Sequence, residues 1–313
     1  MLIYATSSYG YLRDELAAHT QAEVGRLTRK TFDDGELYHQ IVDETVGREV
    51  VLIGGTISET ETLELFDLSC GLVSSGARSL TIIAPYLGYS TMDRAVKPGE
   101  VVKAKTRARL LSSIPHARET NRLIVLDLHA EGIQYYFEGG LHAIHVYAKP
   151  IILEAVRELG GAKFVLACTD AGRAKWVESL ANELGVPASF VFKKRLGDGT
   201  PVINAINADV AGRRVVLYDD MVRSGGSLLN AAQAYRDAGA VEVSCVTTHG
   251  LFPGDALRRI KQSGLISRIL CTNSHPRAVE QARQSDGFLG VRSVSSVLAD
   301  VFRQTNPTSG TSP

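Results

Sequence analysis

Thirteen consecutive residues, Val215–Ser227 (VVLYDDMVRSGGS), constrain the fold of this chain more than any other stretch. An apolar run leads into two adjacent carboxylates, Asp219 and Asp220, and then into a loop that contains two glycines. The segment Leu228–Ala238 that follows has the apolar spacing of a helix. This order predicts a buried strand with an acidic end, a tight loop and a helix N-terminus.

The loop of this segment has the chemistry of a phosphate site. Its small and hydroxyl-bearing members are Ser224, Gly225, Gly226 and Ser227. The glycines let the backbone approach a phosphate closely, and a helix N-terminus favours an anion. Carboxylates repel phosphate but accept hydrogen bonds from sugar hydroxyls, so the whole segment predicts a site for a phosphorylated pentose. An ordinary strand, turn and helix with acidic capping is the alternative, and the paired aspartates make it the less favoured one.

The length of 313 residues exceeds the usual size of a single core and predicts two domains. We place the boundary after a strand-like segment that ends at Val146, which gives an N-terminal domain of residues 1–148 and a C-terminal domain of residues 149–304. The tail 305–313 is rich in Ser, Thr, Pro and Gly and is expected to be disordered.

Charge and composition exclude several functional classes. The 34 Lys and Arg residues balance 34 Asp and Glu residues, so nothing in the net charge favours nucleic acid or an anionic membrane as a partner. The four cysteines lack C-x-x-C spacing, which predicts buried thiols and no cysteine-bound metal. Neither a signal peptide nor a membrane-spanning apolar run is recognised, so we expect a cytoplasmic protein.

Apolar, β-branched runs alternate with segments of helical period along the chain, which predicts an α/β fold with mostly parallel sheets flanked by helices. The predicted strands are Leu2–Ala5, Val50–Ile53, Ser79–Ala84, Arg122–Leu126, Phe164–Ala167, Ser189–Phe192, Arg214–Tyr218, Glu242–Thr247 and Arg268–Cys271. The predicted helices are Tyr9–His19, Glu59–Ser74, Val101–Ser112, Pro150–Leu159, Arg173–Leu184, Leu228–Ala238 and Pro253–Ser263. Ligands of such sheets bind beyond the carboxyl ends of the strands.

Two further strand ends carry polar side chains. The segment Asp127–Ala130 (DLHA) places His129 where it can ligate a divalent ion or donate to a phosphate, although a structural histidine is the default interpretation. The segment Thr169–Gly172 (TDAG) places Asp170 where it can hold a metal ion or cap a helix, and capping is the simpler interpretation.

Two loop-like segments are less specific. Phe32–Glu36 (FDDGE) offers an aromatic ring and carboxylates that suit a purine, but it is equally typical of a surface turn. The cations Lys193–Arg195 precede a flexible-looking stretch and suit a closing lid that neutralises phosphoryl charge. A solvated basic turn is the favoured interpretation of that segment alone.

Taken together, these segments resemble the ribose-phosphate pyrophosphokinase (phosphoribosyl pyrophosphate synthetase) family. The matching motifs are FDDGE at Phe32–Glu36, APYLGY at Ala84–Tyr89, KPGEVVKAK at Lys97–Lys105, DLHAEGIQYYF at Asp127–Phe137, TDAG at Thr169–Gly172, KKR at Lys193–Arg195, VVLYDDMVRSGGS at Val215–Ser227 and THG at Thr248–Gly250. They run in the family's order over nearly the whole chain, and the ordered set is far more specific than any single motif.

The resemblance implies two tandem phosphoribosyltransferase-like domains of type I and a magnesium-dependent transfer of a diphosphoryl group from ATP to ribose 5-phosphate. It implies that Asp219 and Asp220 hold the ribose hydroxyls and that Ser224–Ser227 bind the 5-phosphate. Arg223 is assigned to the same site because a cation in this loop favours a more anionic or larger acceptor, or tighter binding of the phosphate. The ATP contacts that it implies are Phe32, Asp34, Glu36, Asp93 and His129. His129 and Asp170 would lie on magnesium, while His129, Lys193 and Arg195 would serve the transfer itself. In the family a neighbouring subunit supplies the adenine contacts, which implies a homo-oligomer.

Three segments depart from the family pattern. The family's A-R-Q-D-R-K stretch, whose Arg and Gln contact ATP, is replaced by Ser90–Ala95, with Thr91 and Met92 at those two positions. Arg223 stands in place of the third acid of the signature loop, and Arg173 stands where glycine is common. These changes leave open another acceptor such as ADP-ribose, another nucleotide, or a catalytically weak relative that regulates a true synthetase.

Overall fold

The computed structural model describes residues 1–169, 171–195, 201–206 and 208–305. Within them the chain divides into two units, Met1–Tyr147 together with the segment that begins at Ser295, and Ala148–Val294. Among the described residues, no helix combines the length and the apolar character needed to cross a membrane.

The first unit is built on a six-stranded parallel sheet. The strands of the whole unit are β1 (Leu2–Ala5), β2 (Glu23–Val24), β3 (Leu27–Thr31), β4 (Leu37–Ile41), β5 (Glu49–Ile53), β6 (Ser79–Ala84), β7 (Thr120–Leu126) and β8 (Leu141–Val146). Its first helices are α1 (Gly10–Thr20), α2 (Glu59–Ser74) and α3 (Lys103–Ser112). The sheet order is β2-β1-β5-β6-β7-β8, while β3 and β4 form a separate antiparallel hairpin.

Burial explains why the sheet strands of this unit are easily recognised. Every residue of β1 and β6 is buried, as expected where helices cover both faces of a parallel sheet. Helix α2 begins after Ser58, whose hydroxyl accepts a hydrogen bond from the Glu61 amide at 3.1 Å. The hairpin strands β3 and β4 are mostly exposed and carry no continuous apolar run.

The second unit repeats the architecture with its own parallel sheet. The strands of the whole unit are β9 (Phe164–Cys168), β10 (Ala188–Ser189), β11 (Val191–Arg195), β12 (Pro201–Ile206), β13 (Arg214–Val222), β14 (Glu242–Gly250), β15 (Ile269–Thr272) and β16 (Leu289–Arg292). Its helices are α4 (Lys149–Gly160), α5 (Ala174–Leu184), α6 (Gly226–Asp237), α7 (Ala256–Gln262) and α8 (Pro276–Arg283). The sheet order is β10-β9-β13-β14-β15-β16, and β11 pairs with β12 in an antiparallel hairpin.

The last helix, α9 (Ser295–Thr305), packs against α1 and therefore groups with the first unit, although the sequence assigns residues 149–304 to the second. Residues 306–313 of the predicted tail lie outside the described residues.

The predicted α/β fold is confirmed, and most predicted elements lie within a few residues of the observed ones. One predicted strand, Ser189–Phe192, is wrong. The chain divides there, because Ala188–Ser189 pairs in parallel with β9 whereas Val191–Arg195 pairs antiparallel with β12. The predicted helix Pro253–Ser263 begins only at Ala256.

Candidate active site

The acidic pair lies inside a strand and not beyond its end. Strand β13 continues past Tyr218 to Val222, because β14 runs beside it and pairs Met221 with His249. Since successive side chains of a strand point to opposite faces, the two aspartates have different surroundings. Asp220 is buried, whereas Asp219 is half-buried.

Asp219 is held at the carboxyl edge of the second sheet. One oxygen, Oδ2, accepts a hydrogen bond of 2.7 Å from the Thr169 hydroxyl, which follows β9. The other, Oδ1, accepts from the Asp220 amide at 2.9 Å. These bonds fix the orientation of a partly accessible carboxylate.

Asp220 forms an ion pair with Arg173. The guanidinium Nη2 lies 2.7 Å from Asp220 Oδ2, and the side chains are 22% and 4% exposed, respectively. Burial acts against the charge of the guanidinium, but the attraction of Asp220 outweighs it and raises the pKa of Arg173. The unusual cation noted in the sequence therefore neutralises one of the two aspartates.

The loop after β13 has the geometry of an anion site. Gly225 adopts φ +82°, in the left-handed region, and a Cβ there would lie 2.6 Å from Ile260 Cδ1, so both backbone and space require glycine. Helix α6 begins at Gly226, and its first amide groups have no acceptor within the helix. Arg223, Ser224 and Ser227 are exposed around these amides. The arrangement can bind a phosphate.

In the first unit, the residues expected to grip a purine lie at the tip of the β3–β4 hairpin. The Phe32 amide donates to the Glu36 carbonyl at 2.9 Å, and Asp34 accepts from the Glu36 amide at 3.1 Å. The rings of Phe32 and Tyr38 meet edge-on with centroids 6.2 Å apart. Phe32, Asp34 and Glu36 are all exposed, so the tip is free to contact a ligand or another chain.

His129 and Asp93 lie near the carboxyl edge of the first sheet. Strand β7 ends before Asp127, which has φ +40°, and the Leu128 amide donates to His145 Nε2 at 2.9 Å. This turn leaves His129 exposed. The Asp93 carbonyl accepts a hydrogen bond of 2.7 Å from the Tyr136 hydroxyl, which connects the loop after β6 to the segment after β7.

Some expected residues are placed only in part. Asp170 and residues 196–200 lie outside the described residues. The backbone of Lys193 and Arg195 belongs to strand β11, so these cations lie in a hairpin strand where the resemblance implies a loop.

Sequence reasoning missed three contacts. The hydroxyl of Thr169, the imidazole of His145 and the guanidinium of Arg173 each bond to a predicted site segment. Thr169 is the first residue of the TDAG motif and Arg173 directly follows that motif, but no sequence signal indicates their partners. His145 lies in a strand-like run and has no signal of its own.

Two parallel α/β units, the second with a carboxylate pair and a phosphate loop at its sheet edge, define a protein of the phosphoribosyltransferase-like class. Residues 1–114 match the family described as the N-terminal domain of ribose phosphate pyrophosphokinase, and residues 172–310 match the phosphoribosyl synthetase-associated domain.

Similar proteins agree with these matches. The chain is 31% identical to the ribose-phosphate pyrophosphokinase of Nostoc and 30% identical to that of Prochlorococcus marinus, in each case over 96% of this chain and 89% of the relative. It is also similar to the crystal structure of phosphoribosylpyrophosphate synthetase from Mycobacterium smegmatis, with a TM-score of 0.84, 26% identity and coverage of 97% and 98% of the two chains. The chain belongs to the ribose-phosphate pyrophosphokinase family.

Proposed function

We propose that this protein transfers a diphosphoryl group from ATP to the anomeric hydroxyl of ribose 5-phosphate, giving phosphoribosyl pyrophosphate and AMP. The hydroxyl oxygen forms a bond to the β-phosphorus, the bond from that phosphorus to the oxygen shared with the α-phosphate breaks, and the hydroxyl proton is released to solvent. The observation that carries the proposal is the aspartate pair of β13 followed by the phosphate loop, in a chain of this family. The similar proteins do not favour the alternative acceptors or a regulatory role.

The acceptor contacts follow from the chemistry of the second unit. Asp219 and Asp220 are proposed to accept hydrogen bonds from the ribose hydroxyls, because ionised carboxylates are acceptors only. The amides and hydroxyls of Ser224–Ser227 are proposed to hold the 5-phosphate, with Arg223 adding a positive charge beside them.

The contacts to ATP are proposed in the first unit. Phe32 would stack on adenine, while Asp34 and Glu36 would accept from its amino group. These three side chains are exposed at a hairpin tip, which supports their use by a neighbouring copy of the chain and hence a homo-oligomer. Asp93 and His129 would contact the nucleotide at the carboxyl edge of the sheet. A cytoplasmic location also remains a prediction.

His129 and Asp170 are each proposed as a magnesium ligand. In nucleotide sites this ion usually takes one or two carboxylates together with phosphate oxygens and water. No cluster of three or more His, Cys, Asp or Glu residues suited to a metal occurs in the described part of the chain, which does not include Asp170. Bound magnesium would neutralise phosphate charge. His129 is also proposed to orient the phosphates, and Lys193 and Arg195 to stabilise the transferring group.

Release of AMP tests this proposal directly. Purified protein, magnesium and ATP are incubated with ribose 5-phosphate and, separately, with ADP-ribose, and AMP is followed with time. AMP release that depends on ribose 5-phosphate is the expected result. Absence of AMP with either acceptor, despite measurable ATP binding, would overturn the catalytic proposal, and release with ADP-ribose alone would overturn the acceptor.

Lys193→Ala tests the role of the hairpin cations. Loss of an interaction made mainly in the transition state should lower kcat by about 100-fold or more and change KM for the acceptor little. Lys163→Ala is the matched control. Lys163 is exposed and precedes β9, so it lies at the amino edge of the parallel sheet, away from the carboxyl edge that carries the aspartates. Equal losses in kcat and acceptor binding would mean that Lys193 positions substrate instead.

A further inference from the structure

The loop after β6 holds an aromatic residue in a strained conformation. Tyr89 has φ +63°, in the left-handed region that bulky residues rarely adopt. Its carbonyl accepts from the Met92 amide at 2.9 Å, and the Met92 carbonyl accepts from the Ala104 amide of α3 at 3.2 Å. The Tyr89 hydroxyl donates to Glu59 Oε1 at 2.8 Å. Such strain persists only where surrounding contacts hold it, and it is frequent at ligand sites.

Two cations of α3 lie on this ring. Lys103 Nζ and Arg107 Cζ are each 5.0 Å from the centroid of Tyr89, within the range of a cation–π interaction. Their spacing of four residues places them on one face of the helix. Both also pair with Glu59, Lys103 at 3.6 Å and Arg107 through a short contact. We call Glu59, Tyr89, Lys103 and Arg107 the Tyr89 cluster.

The Tyr89 cluster carries an excess of positive charge. The hydrogen bond from Tyr89, followed by the interactions with Arg107 and Lys103, lowers the pKa of Glu59, so this carboxylate is ionised at neutral pH. Two cations therefore face one anion. The Nε of Arg107 is a further unsatisfied donor, because it is buried without a hydrogen-bond partner among the described residues. A buried guanidinium donor without an acceptor is costly. Because the Arg107 side chain as a whole is 20% exposed, an anion could reach the excess positive charge of the cluster.

The location of the cluster suggests which anion this is. The Tyr89 loop follows β6 at the carboxyl edge of the sheet, next to the edge position of His129 after β7. The same loop carries Thr91 and Met92, which have no charge to offer a phosphate.

We propose that Lys103 and Arg107, oriented by Tyr89, bind the polyphosphate of the nucleotide donor. The cluster supplies from helix α3 the positive charge that Thr91 and Met92 lack. This inference rests on the proposed function, in which a nucleoside triphosphate is the diphosphoryl donor.

Calorimetric titration with α,β-methylene-ATP and magnesium tests the proposal, because this analogue cannot release its terminal diphosphoryl group. Arg107→Met keeps an apolar stem and removes the charge, and the dissociation constant should rise about tenfold or more, as expected for a charge-assisted contact. Arg109→Met is the control, since Arg109 lies on the same helix, is exposed and pairs with Glu138 at 3.8 Å. The control should stay within about twofold of the parent chain.

Kinetics separate a donor site from other nucleotide sites. Arg107→Met should raise KM for ATP in parallel with the dissociation constant while KM for ribose 5-phosphate changes less than about twofold. A folded Arg107→Met variant that binds the analogue as the parent does would overturn the proposal. So would weaker binding of the analogue with an unchanged KM for ATP, because the nucleotide would then not be the donor.

Two arrangements keep the test decisive. If Arg107→Met does not fold, Lys103→Met replaces it, because Lys103 is more exposed than Arg107. We expect Lys103→Met to raise the dissociation constant of the analogue severalfold. Binding is measured independently of AMP release. A parent chain that forms AMP, with variants that bind normally, would refute only the Tyr89 cluster. A parent that forms no AMP, with variants that bind weakly, would refute the proposed function and with it the donor role of the nucleotide, while Lys103 and Arg107 would stand as contacts to a bound nucleotide.

Discussion

The Arg173–Asp220 ion pair predicts a large and specific loss of stability in the second unit. Arg173→Met would remove the guanidinium that pairs with the Asp220 carboxylate, which is only 4% exposed. Removing one partner of a buried pair costs about 3–5 kcal/mol. Because Arg173 itself is 22% exposed, water can reach part of the vacated space, and we expect a loss of about 2–4 kcal/mol. For a unit of about 150 residues, 3 kcal/mol corresponds to a decrease in Tm of roughly 6–12 °C.

Thermal unfolding of matched variants tests this value. Arg214→Met removes the same charge from the same unit, but the Arg214–Glu242 pair is 52% and 38% exposed, so the loss should stay below about 1 kcal/mol. Adding Asp220→Asn to Arg173→Met also removes the buried negative charge and should restore at least half of the lost stability. If Arg173→Met lowers Tm no more than Arg214→Met does, Asp220 is effectively solvated and the reasoning fails.

Two further predictions follow from backbone geometry and from titration. Gly225→Ala must force a side chain into φ +82° and against Ile260, so it should lower the free energy of unfolding by about 1–3 kcal/mol and weaken acceptor binding. Gly226→Ala is the control and should hardly change Tm, because its Cβ would lie 3.9 Å from the nearest neighbouring atom. Equal losses of Tm in the two variants would contradict the steric argument. Burial, then His249 and Arg277, lowers the pKa of His275 to about 3. The unfolded chain therefore binds the extra proton, and stability should fall by about 1.4 kcal/mol between pH 7.5 and 5.5. His275→Asn keeps the cap of α8 and should remove this loss in urea titrations at the two pH values, so an unchanged pH dependence would refute the assignment.

The sheets were predictable because their signal is local. Strands such as Leu2–Ala5 and Ser79–Ala84 are buried on both faces, and a continuous apolar run is the direct consequence. The hairpin strands Leu27–Thr31 and Leu37–Ile41 were missed for the opposite reason. They are mostly exposed and belong to no main sheet, so burial imposed no pattern on their side chains. The β11–β12 hairpin left no usable pattern either, and its start was merged with β10 into one predicted strand.

The acceptor side of the site shows the same division between local and distant causes. Val215–Ser227 correctly predicted that a strand, a loop and a helix follow one another, because each has a local signal. The end of the strand was placed too early, because pairing with β14 extends it past both aspartates to Val222. The state of its aspartates depends on residues from elsewhere in the chain: Thr169 bonds to Asp219, and Arg173 pairs with Asp220. The sequence directed attention to Arg223, yet that side chain is exposed, while Arg173 contacts the carboxylate itself. A charge at short range in a buried pair has a stronger electrostatic effect on the aspartate than a charge at an exposed position, which solvent and salt screen. Differences in acceptor choice between this chain and its relatives should therefore be sought first at Arg173.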